Sequence, residues 1–167
     1  MKAIRIKDKS SRPISMREIE NLQRVLQVQL PEQYRRFLLQ YNGGVPDPAL
    51  NCLYRIPQEF QSRFVEGFDL VVVHCFYFVK SPIEACALIG LNIDYRGRIP
   101  SDTIMIASDP FGDQFLLGVG KENTDRIYYW DHDSEGFDPP EDMYHNVAQI
   151  SPSFERFIDS LEPNADR

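Results

Sequence analysis

The sequence predicts a single α+β domain in which a mainly antiparallel, mixed β-sheet is flanked by helices. Amphipathic helical stripes lie toward both ends of the chain, and three short β-rich segments joined by polar turns follow one another between residues 104 and 130. No repeat or low-complexity linker divides the chain. Its 167 residues, 43% of them hydrophobic, suffice for one substantial core.

Two helices are expected in the first third of the chain. In residues 15–30, apolar side chains recur at steps of three and four, the spacing of an amphipathic helix. A second helix is expected to carry Pro31 in its first turn and to stop at residues 42–44, Asn-Gly-Gly. The basic residues at 1–14 predict a solvated arm, and the prolines in residues 45–50 predict a loop.

The middle of the chain is expected to hold two strands and a helix. Residues 53–56 form a short strand candidate, whereas residues 57–67 carry no clear pattern. The Val-rich and aromatic run at 70–79 lacks polar alternation, which predicts a central strand covered on both faces. Ser81, Pro82 and Glu84 have the spacing of a capping box and predict the start of a helix.

The last third is expected to be a meander followed by a helix. Residues 104–107, 114–119 and 126–130 are strand candidates, and their short connections favour antiparallel pairing. Ser151 and Pro152 are expected to open the final helix. The domain is therefore predicted to span residues 15–162, with a polar tail at 163–167.

Charge is unevenly distributed along the chain. The window 122–142 contains eight acidic residues and one basic residue, a net charge of −7, which equals the net charge of the whole chain. Outside this window, the numbers of acidic and basic residues are equal. The excess negative charge predicts either a surface that recognises a basic partner or a loop that keeps the protein soluble.

The cysteine content and the hydropathy pattern predict a cytoplasmic protein. Cys52, Cys75 and Cys86 are odd in number and widely spaced among apolar neighbours, as expected of buried, reduced thiols. Residues 1–12 lack the apolar stretch of a secretory signal, and no apolar run is long enough to cross a bilayer. No membrane contact is expected.

Catalytic and metal-binding patterns are weak. His74 and Cys75 resemble a base and a nucleophile, but adjacent residues of a strand point to opposite faces. Asp131, His132 and Asp133 offer ligand atoms, yet no further Cys or His lies at the spacing of a closed zinc site. We therefore expect no catalytic residue, no metal and no cofactor, and interpret these residues as structural or solvated.

Phosphate and nucleic-acid binding are also disfavoured. Gly118, Gly120 and Lys121 lack the preceding glycine of a phosphate loop, and Glu122 stands where Ser or Thr would hold magnesium. An acidic chain repels nucleic acid. The aromatic residues at 128–130 could stack on bases, but core packing explains them better.

Two segments resemble signatures of the SUKH superfamily. Residues 30–44, LPEQYRRFLLQYNGG, are similar to its opening signature, a proline-started helix that ends at a double glycine. Residues 104–117, with Asp109 and Gly112 in the turn, and residues 127–133, IYYWDHD, resemble its strand, turn, strand and Trp-Asp-His segment. With the closing helix, the resemblance extends over residues 15–161.

This resemblance implies a SUKH-like, helix-flanked sheet without a known active site. The motif positions that match, all interpreted as structural, are Pro31, Gly43, Gly44, Asp109, Gly112 and Trp130. Gly43 is expected to supply a left-handed helix cap, and Asp109 to close a turn by accepting backbone N–H groups. Bacterial members of the superfamily are known chiefly as immunity proteins that neutralise toxins, and eukaryotic relatives include regulators of cell-wall assembly.

The leading functional hypothesis is a non-enzymatic immunity protein that binds the basic surface of a cognate toxin, which could be a nuclease. The acidic residues expected to contact this partner are Glu122, Asp125, Asp131, Asp133, Glu135 and Asp138. A regulatory adaptor without a toxin partner is the alternative, and a hydrolase is a second alternative. The oligomeric state is not predicted.

Overall fold

The structure, a computed structural model, describes residues 1–8, 13–48, 51–60, 69–79, 86–135 and 142–164. It confirms the predicted fold class, because helices flank sheets whose strands pair antiparallel within one core. The helices are Met16–Leu26 (α1), Glu32–Tyr41 (α2), Leu88–Asp94 (α3) and Phe154–Asp159 (α4). Within these residues, no helix combines the length and the apolar character that crossing a membrane requires.

The largest sheet is an antiparallel arrangement of five strands. Its strands are Cys75–Phe76 (β5), Thr103–Ser108 (β6), Gln114–Gly118 (β7), Ile127–Trp130 (β8) and Val147–Ser151 (β9). They pair in the order β5-β6-β7-β8-β9, so the predicted meander of three strands is confirmed as β6 to β8. All five residues of β7 are buried, which makes it the central strand of the sheet.

Two smaller sheets bring distant parts of the chain together. Ile6–Asp8 (β1) pairs with Val45–Pro46 (β2). Leu53–Arg55 (β3) lies between Leu70–Val72 (β4) and Leu161–Glu162 (β10). A single turn of 3-10 helix, Gln58–Phe60, follows β3.

The helices begin and end where local chemistry favours it. Ser15 donates its backbone N–H to Glu18 Oε2 at 2.6 Å, the capping box that starts α1. α1 ends at Leu26, earlier than expected, with Gln27 in the left-handed region at φ 59°. α4 begins later than expected, because Ser153 rather than Ser151 accepts the N–H of Arg156.

Aromatic side chains join the helices to the sheet. Phe154 of α4 packs edge-on against Tyr34 and Phe37 of α2 with ring centroids 5.1 and 5.3 Å apart. Phe157 of α4 contacts Phe115 of the central strand at 5.4 Å. These rings are fully buried and form the centre of one hydrophobic core.

The amino-terminal arm differs from the expectation of a solvated segment. Ile4, Ile6 and Ile14 are buried in the core, and β1 occupies part of the region expected to be free. The amino group of Met1 donates to Glu155 Oε1 at 2.5 Å. Apolar residues spaced two apart among the basic ones allow this packing, since alternation suits a strand with one covered face.

The run at residues 70–79 is not one central strand, and that prediction was wrong. β4 is an edge strand of the three-stranded sheet, and β5 is an edge strand of the five-stranded sheet. The chain changes sheets between them: the N–H of Val73 donates to Cys52 at 2.7 Å, whereas that of His74 donates to Ser108 at 2.8 Å. The expected capping box at 81–84 lies outside the described residues.

Candidate protein-binding site

The loop between β6 and β7, residues 109–113, is a turn built around one carboxylate. Asp109 is buried, and its Oδ1 accepts the backbone N–H groups of Phe111, Gly112 and Asp113 at 2.7, 2.8 and 2.9 Å. Its own N–H donates to the carbonyl of Asp113 at 2.9 Å. The predicted turn-closing role of Asp109 is therefore confirmed, and the tip has a fixed backbone.

This turn presents a large aromatic ring to solvent. Phe111 is 82% exposed, the highest value among the exposed large hydrophobic residues of the described chain. Gly112 follows at φ 110°, and a Cβ there would come within 3.3 Å of the His132 ring. The turn therefore needs glycine at 112, as its place in the family motif implies, and holds Phe111 outward.

A tyrosine and a histidine tie this turn to the end of β8. The Tyr129 hydroxyl lies 2.9 Å from Asp109 Oδ2 and 2.8 Å from Asp113 Oδ2. Asp113 Oδ1 accepts the backbone N–H of His132 at 3.0 Å and lies 2.6 Å from His132 Nδ1. Burial raises the pKa of Tyr129, and both neighbouring aspartates raise it further, so the hydroxyl remains a donor.

His132 lies between two carboxylates. Its Nδ1 faces Asp113, and its Nε2 lies 3.3 Å from Asp133 Oδ1. The hydrogen bond to Asp113 raises the pKa of His132, and the charges of Asp113, Asp133 and Asp131 add to that rise. Protonation therefore gives a donor to each carboxylate and strengthens the link between the turn and the end of β8.

The segment after β8 is a compact turn with one outward carboxylate. Asp131 accepts the backbone N–H groups of Asp133 and Ser134 at 2.9 and 3.3 Å, and the Ser134 hydroxyl at 2.6 Å. The Asp133 side chain is 89% exposed. We name Asp109, Asp113, Asp131 and Asp133 the acidic cluster; within it, Asp133 projects furthest into solvent.

Glu135 is held by a basic side chain from another part of the chain. Arg98 donates through Nε and Nη2 to its two carboxylate oxygens at 2.8 and 2.5 Å. This pairing lowers the pKa of Glu135. The Arg98 guanidinium also stacks 4.1 Å from the Tyr95 ring, which meets Trp130 edge-on. Glu135 is thus largely neutralised within the protein.

The other acidic residues of the window lie elsewhere. Glu122 is exposed in the turn before β8, whereas Asp131 follows the other end of that strand. Asp125, at φ 71°, is partly buried, and desolvation raises its pKa against the opposing effect of the Phe154 backbone N–H. Asp138 lies outside the described residues. The described acidic residues of the window are therefore divided between the two ends of β8.

Asp113, Asp131 and His132 could hold a metal ion, since each offers one ligand atom and these atoms lie within 4.8 Å of one another. The sequence predicted no metal site. The Asp113 carboxylate already accepts hydrogen bonds from the Tyr129 hydroxyl and the His132 backbone N–H. The Asp131 carboxylate accepts them from the Asp133 backbone N–H and the Ser134 hydroxyl. An ion would have to displace several of these bonds.

The remaining motif residues have structural surroundings, with two corrections to their expected positions. Trp130 is fully buried, and Pro31 is the N-cap of α2, one position before the first turn in which it was expected. The left-handed cap of α2 is Asn42, at φ 56°, and not Gly43 as predicted. Gly43 follows at φ 99°, where a Cβ would lie 2.5 Å from the carbonyl oxygen of Tyr77. Gly44 exchanges two backbone hydrogen bonds with Phe76.

The residues that resemble a catalytic pair and a phosphate loop do not have the geometry that either one requires. His74 is exposed while Cys75 is buried, as their adjacency predicts. Gly118 and Gly120 form a turn closed by Asn123, whose Oδ1 accepts the N–H of Gly120 at 2.8 Å. A strand, β8, follows this turn and not the helix that a phosphate loop requires.

Sequence reasoning missed Phe111, Asp113 and Tyr129 as members of this site. A signal existed for Phe111: a large aromatic residue between Pro110 and Gly112, in a turn opened by an aspartate, has no strand or helix to bury it. Asp113 and Tyr129 are brought together only by the pairing of β7 with β8.

Comparisons with known proteins identify the family. No curated protein sequence matches the chain. The sequence profile of the SMI1 / KNR4 family (SUKH-1) matches residues 13–160, which include every element from α1 to α4. The SUKH resemblance inferred from the two signatures is confirmed, and the chain belongs to the SMI1 / KNR4 family (SUKH-1).

Proposed function

We propose that this SUKH-family protein is a non-enzymatic immunity protein that neutralises a cognate toxin by docking on the toxin's basic surface. Phe111 carries the proposal, because it is 82% exposed on a turn whose backbone Asp109 holds in place. The Phe111 ring is mostly surrounded by water and adds little to the packing of the core. A partner that receives this ring would remove that unfavourable contact.

The energetic argument rests on preorganisation. Burying a phenylalanine side chain stabilises by about 1.5–3 kcal/mol, and large, fully desolvated side chains near the centre of an interface commonly dominate its affinity. Because the turn is already closed by Asp109, binding would order little additional backbone. Phe111 thus has the properties of a binding hot spot.

Charge determines which kind of partner fits. The acidic cluster carries four carboxylates, and His132 is the only basic group that the structure pairs with them within the described residues. A basic partner would be attracted and an acidic one repelled, which favours fast and selective association. A nuclease toxin has this chemistry, since its nucleic-acid-binding surface is cationic.

The surroundings of His132 support a binding role, and the proposed target suggests the compartment. In the described residues, both ring nitrogens of His132 face carboxylates and the Ser134 hydroxyl bonds to Asp131, so no hydroxyl or thiol is placed for activation by this histidine. A nuclease toxin acts where nucleic acid is, and we propose that the protein meets it in the cytoplasm.

The test uses the product of the gene adjacent to this one, which the proposal expects to carry a toxin domain. Purified protein should bind it at nanomolar concentration, and co-expression should restore growth of cells that produce the toxin. A neighbouring toxin that is neither bound nor neutralised would refute the proposal. A neighbouring gene without a toxin domain, together with a non-toxic binding partner, would instead favour a regulatory adaptor.

A further inference from the structure

Two cysteines that are not members of the acidic cluster lie in contact. Cys75 Sγ and Cys86 Sγ are 3.8 Å apart, and Cys75 Sγ also lies 3.4 Å from the carbonyl oxygen of Phe76. Cys75 is buried in β5, whereas Cys86, just before α3, is partly exposed. The third cysteine, Cys52, is buried and directs its thiol at the carbonyl of Pro48 at 3.6 Å. The two sulfurs of the pair therefore differ in accessibility while touching each other.

We propose that Cys75 and Cys86 form an intramolecular disulfide when the folded protein meets a low-molecular-weight disulfide such as oxidised glutathione. The backbone fixes Cys86 close to the chain that follows β5, because the N–H of Phe78, three residues after Cys75, donates to the carbonyl of Cys86 at 2.9 Å. Rotation of the two thiol side chains about their Cα–Cβ bonds is the movement that brings the sulfurs to the roughly 2.05 Å of an S–S bond.

The different exposure of the two thiols sets the order of the reaction. The Cys86 thiolate attacks one sulfur of glutathione disulfide, whose S–S bond breaks and releases one glutathione thiolate. The Cys75 thiolate then attacks Cys86 Sγ, forms the internal bond and releases the second glutathione thiolate. Two protein thiols are oxidised, one disulfide is reduced to two glutathione molecules, and the two protons pass to these products.

The bond would fasten the segment before α3 to the edge strand β5. Cys75 pairs with Ser108, the residue before Asp109, so the bond would lie beside the strand that leads into the Phe111 turn. This inference does not depend on the proposed toxin binding. It concerns thiol chemistry that can be measured on the isolated protein.

The experiment is oxidation of the native protein by glutathione disulfide, followed by alkylation of the remaining thiols and mass spectrometry. We expect a product that has lost two hydrogens, with a Cys75–Cys86 cross-link in the peptide map and only Cys52 alkylated. Cys52→Ser should form the same cross-link. Cys75→Ser should stop at a mixed disulfide on Cys86, and Cys86→Ser should stay reduced.

Three results would overturn the inference. The wild-type protein could keep all of its thiols reduced, or it could stop at the mixed disulfide on Cys86. It could also form a cross-link that includes Cys52, which would mean that unfolding and not the native contact selects the pair. Circular dichroism before and after oxidation checks that the protein stays folded throughout.

Discussion

Asp113 and His132 fasten the Phe111 turn to the end of β8. The Asp113 carboxylate accepts the His132 backbone N–H at 3.0 Å and lies 2.6 Å from the ring Nδ1. Asp113 precedes β7 and His132 follows β8, so this contact closes the same end of the sheet where Gln114 pairs with Trp130. The exposed Phe111 and the exposed Asp133 are thereby carried on one connected structure.

This contact predicts a pH-dependent stability. The pKa of His132 is raised in the folded protein by Asp113, so its contribution is complete below the unfolded value of about 6.5 and is lost as pH rises through the folded value. Denaturant unfolding should show wild type more stable than His132→Gln at pH 6, with the difference shrinking above pH 8. The exposed His74→Gln serves as control, and an equal loss at both pH values would contradict the prediction.

Removing the carboxylate that closes the turn should destabilise the protein. Asp109→Ala leaves three backbone N–H groups without their acceptor, and we expect a loss of about 2–3 kcal/mol in the free energy of unfolding. Asp109→Asn keeps an acceptor oxygen and should lose less. Urea unfolding measures both, and equal stability of Asp109→Ala and wild type would show that the turn does not depend on this side chain.

Two glycines form a matched test of backbone strain. Gly43→Ala places a methyl group 2.5 Å from the Tyr77 carbonyl oxygen at φ 99°, and we expect a loss of about 3 kcal/mol or more. Gly90→Ala, within α3, meets nothing closer than 3.8 Å and should stabilise by up to about 1 kcal/mol. Thermal unfolding of the two variants should move in opposite directions, and shifts of the same sign would contradict the assignment.

The sequence predicts the β6 to β8 meander and the start of α1 because both depend on local signals. Short apolar segments between polar turns mark the strands, and apolar residues spaced three and four apart from residue 15 onward mark the helix. The strands it missed, such as β9 and β10, depend on distant partners: Leu161 pairs with Tyr54, and Tyr129 with Ala148. The prediction of one central strand at 70–79 was wrong for the same reason, because apolar content does not reveal that the chain changes sheets at Val73.

The candidate site was predicted in part. Counting charges along the chain located Asp131 and Asp133, but it also selected Asp125 and Glu135. Asp125 is partly buried near the start of α4, and Glu135 is neutralised by Arg98, 37 residues away in sequence. A one-dimensional count cannot see such partners. Nor does periodicity show that the ring of Phe111 projects from its turn.

Charge reversal should separate the two ends of the acidic window. Asp133→Lys should slow association with a basic toxin partner, whereas Glu122→Lys, also a change at an exposed residue but beyond the other end of β8, should affect it little. Combined reversal of Asp131, Asp133 and Asp138 should slow association on the order of tenfold at low salt. Stopped-flow or surface-based kinetics measure the rates, and equal effects of Asp133→Lys and Glu122→Lys would contradict this placement.

The affinity of Phe111→Ser for the proposed cognate toxin domain tests the central claim most directly. Calorimetric titration should show affinity weakened about 30-fold or more, an effect of roughly 2 kcal/mol, while the unfolding midpoint stays unchanged because the ring is solvated. Ile93→Ser on α3, which removes another exposed apolar side chain, should bind like wild type. A Phe111→Ser protein that binds as tightly as wild type would contradict the assignment of this turn as the recognition element.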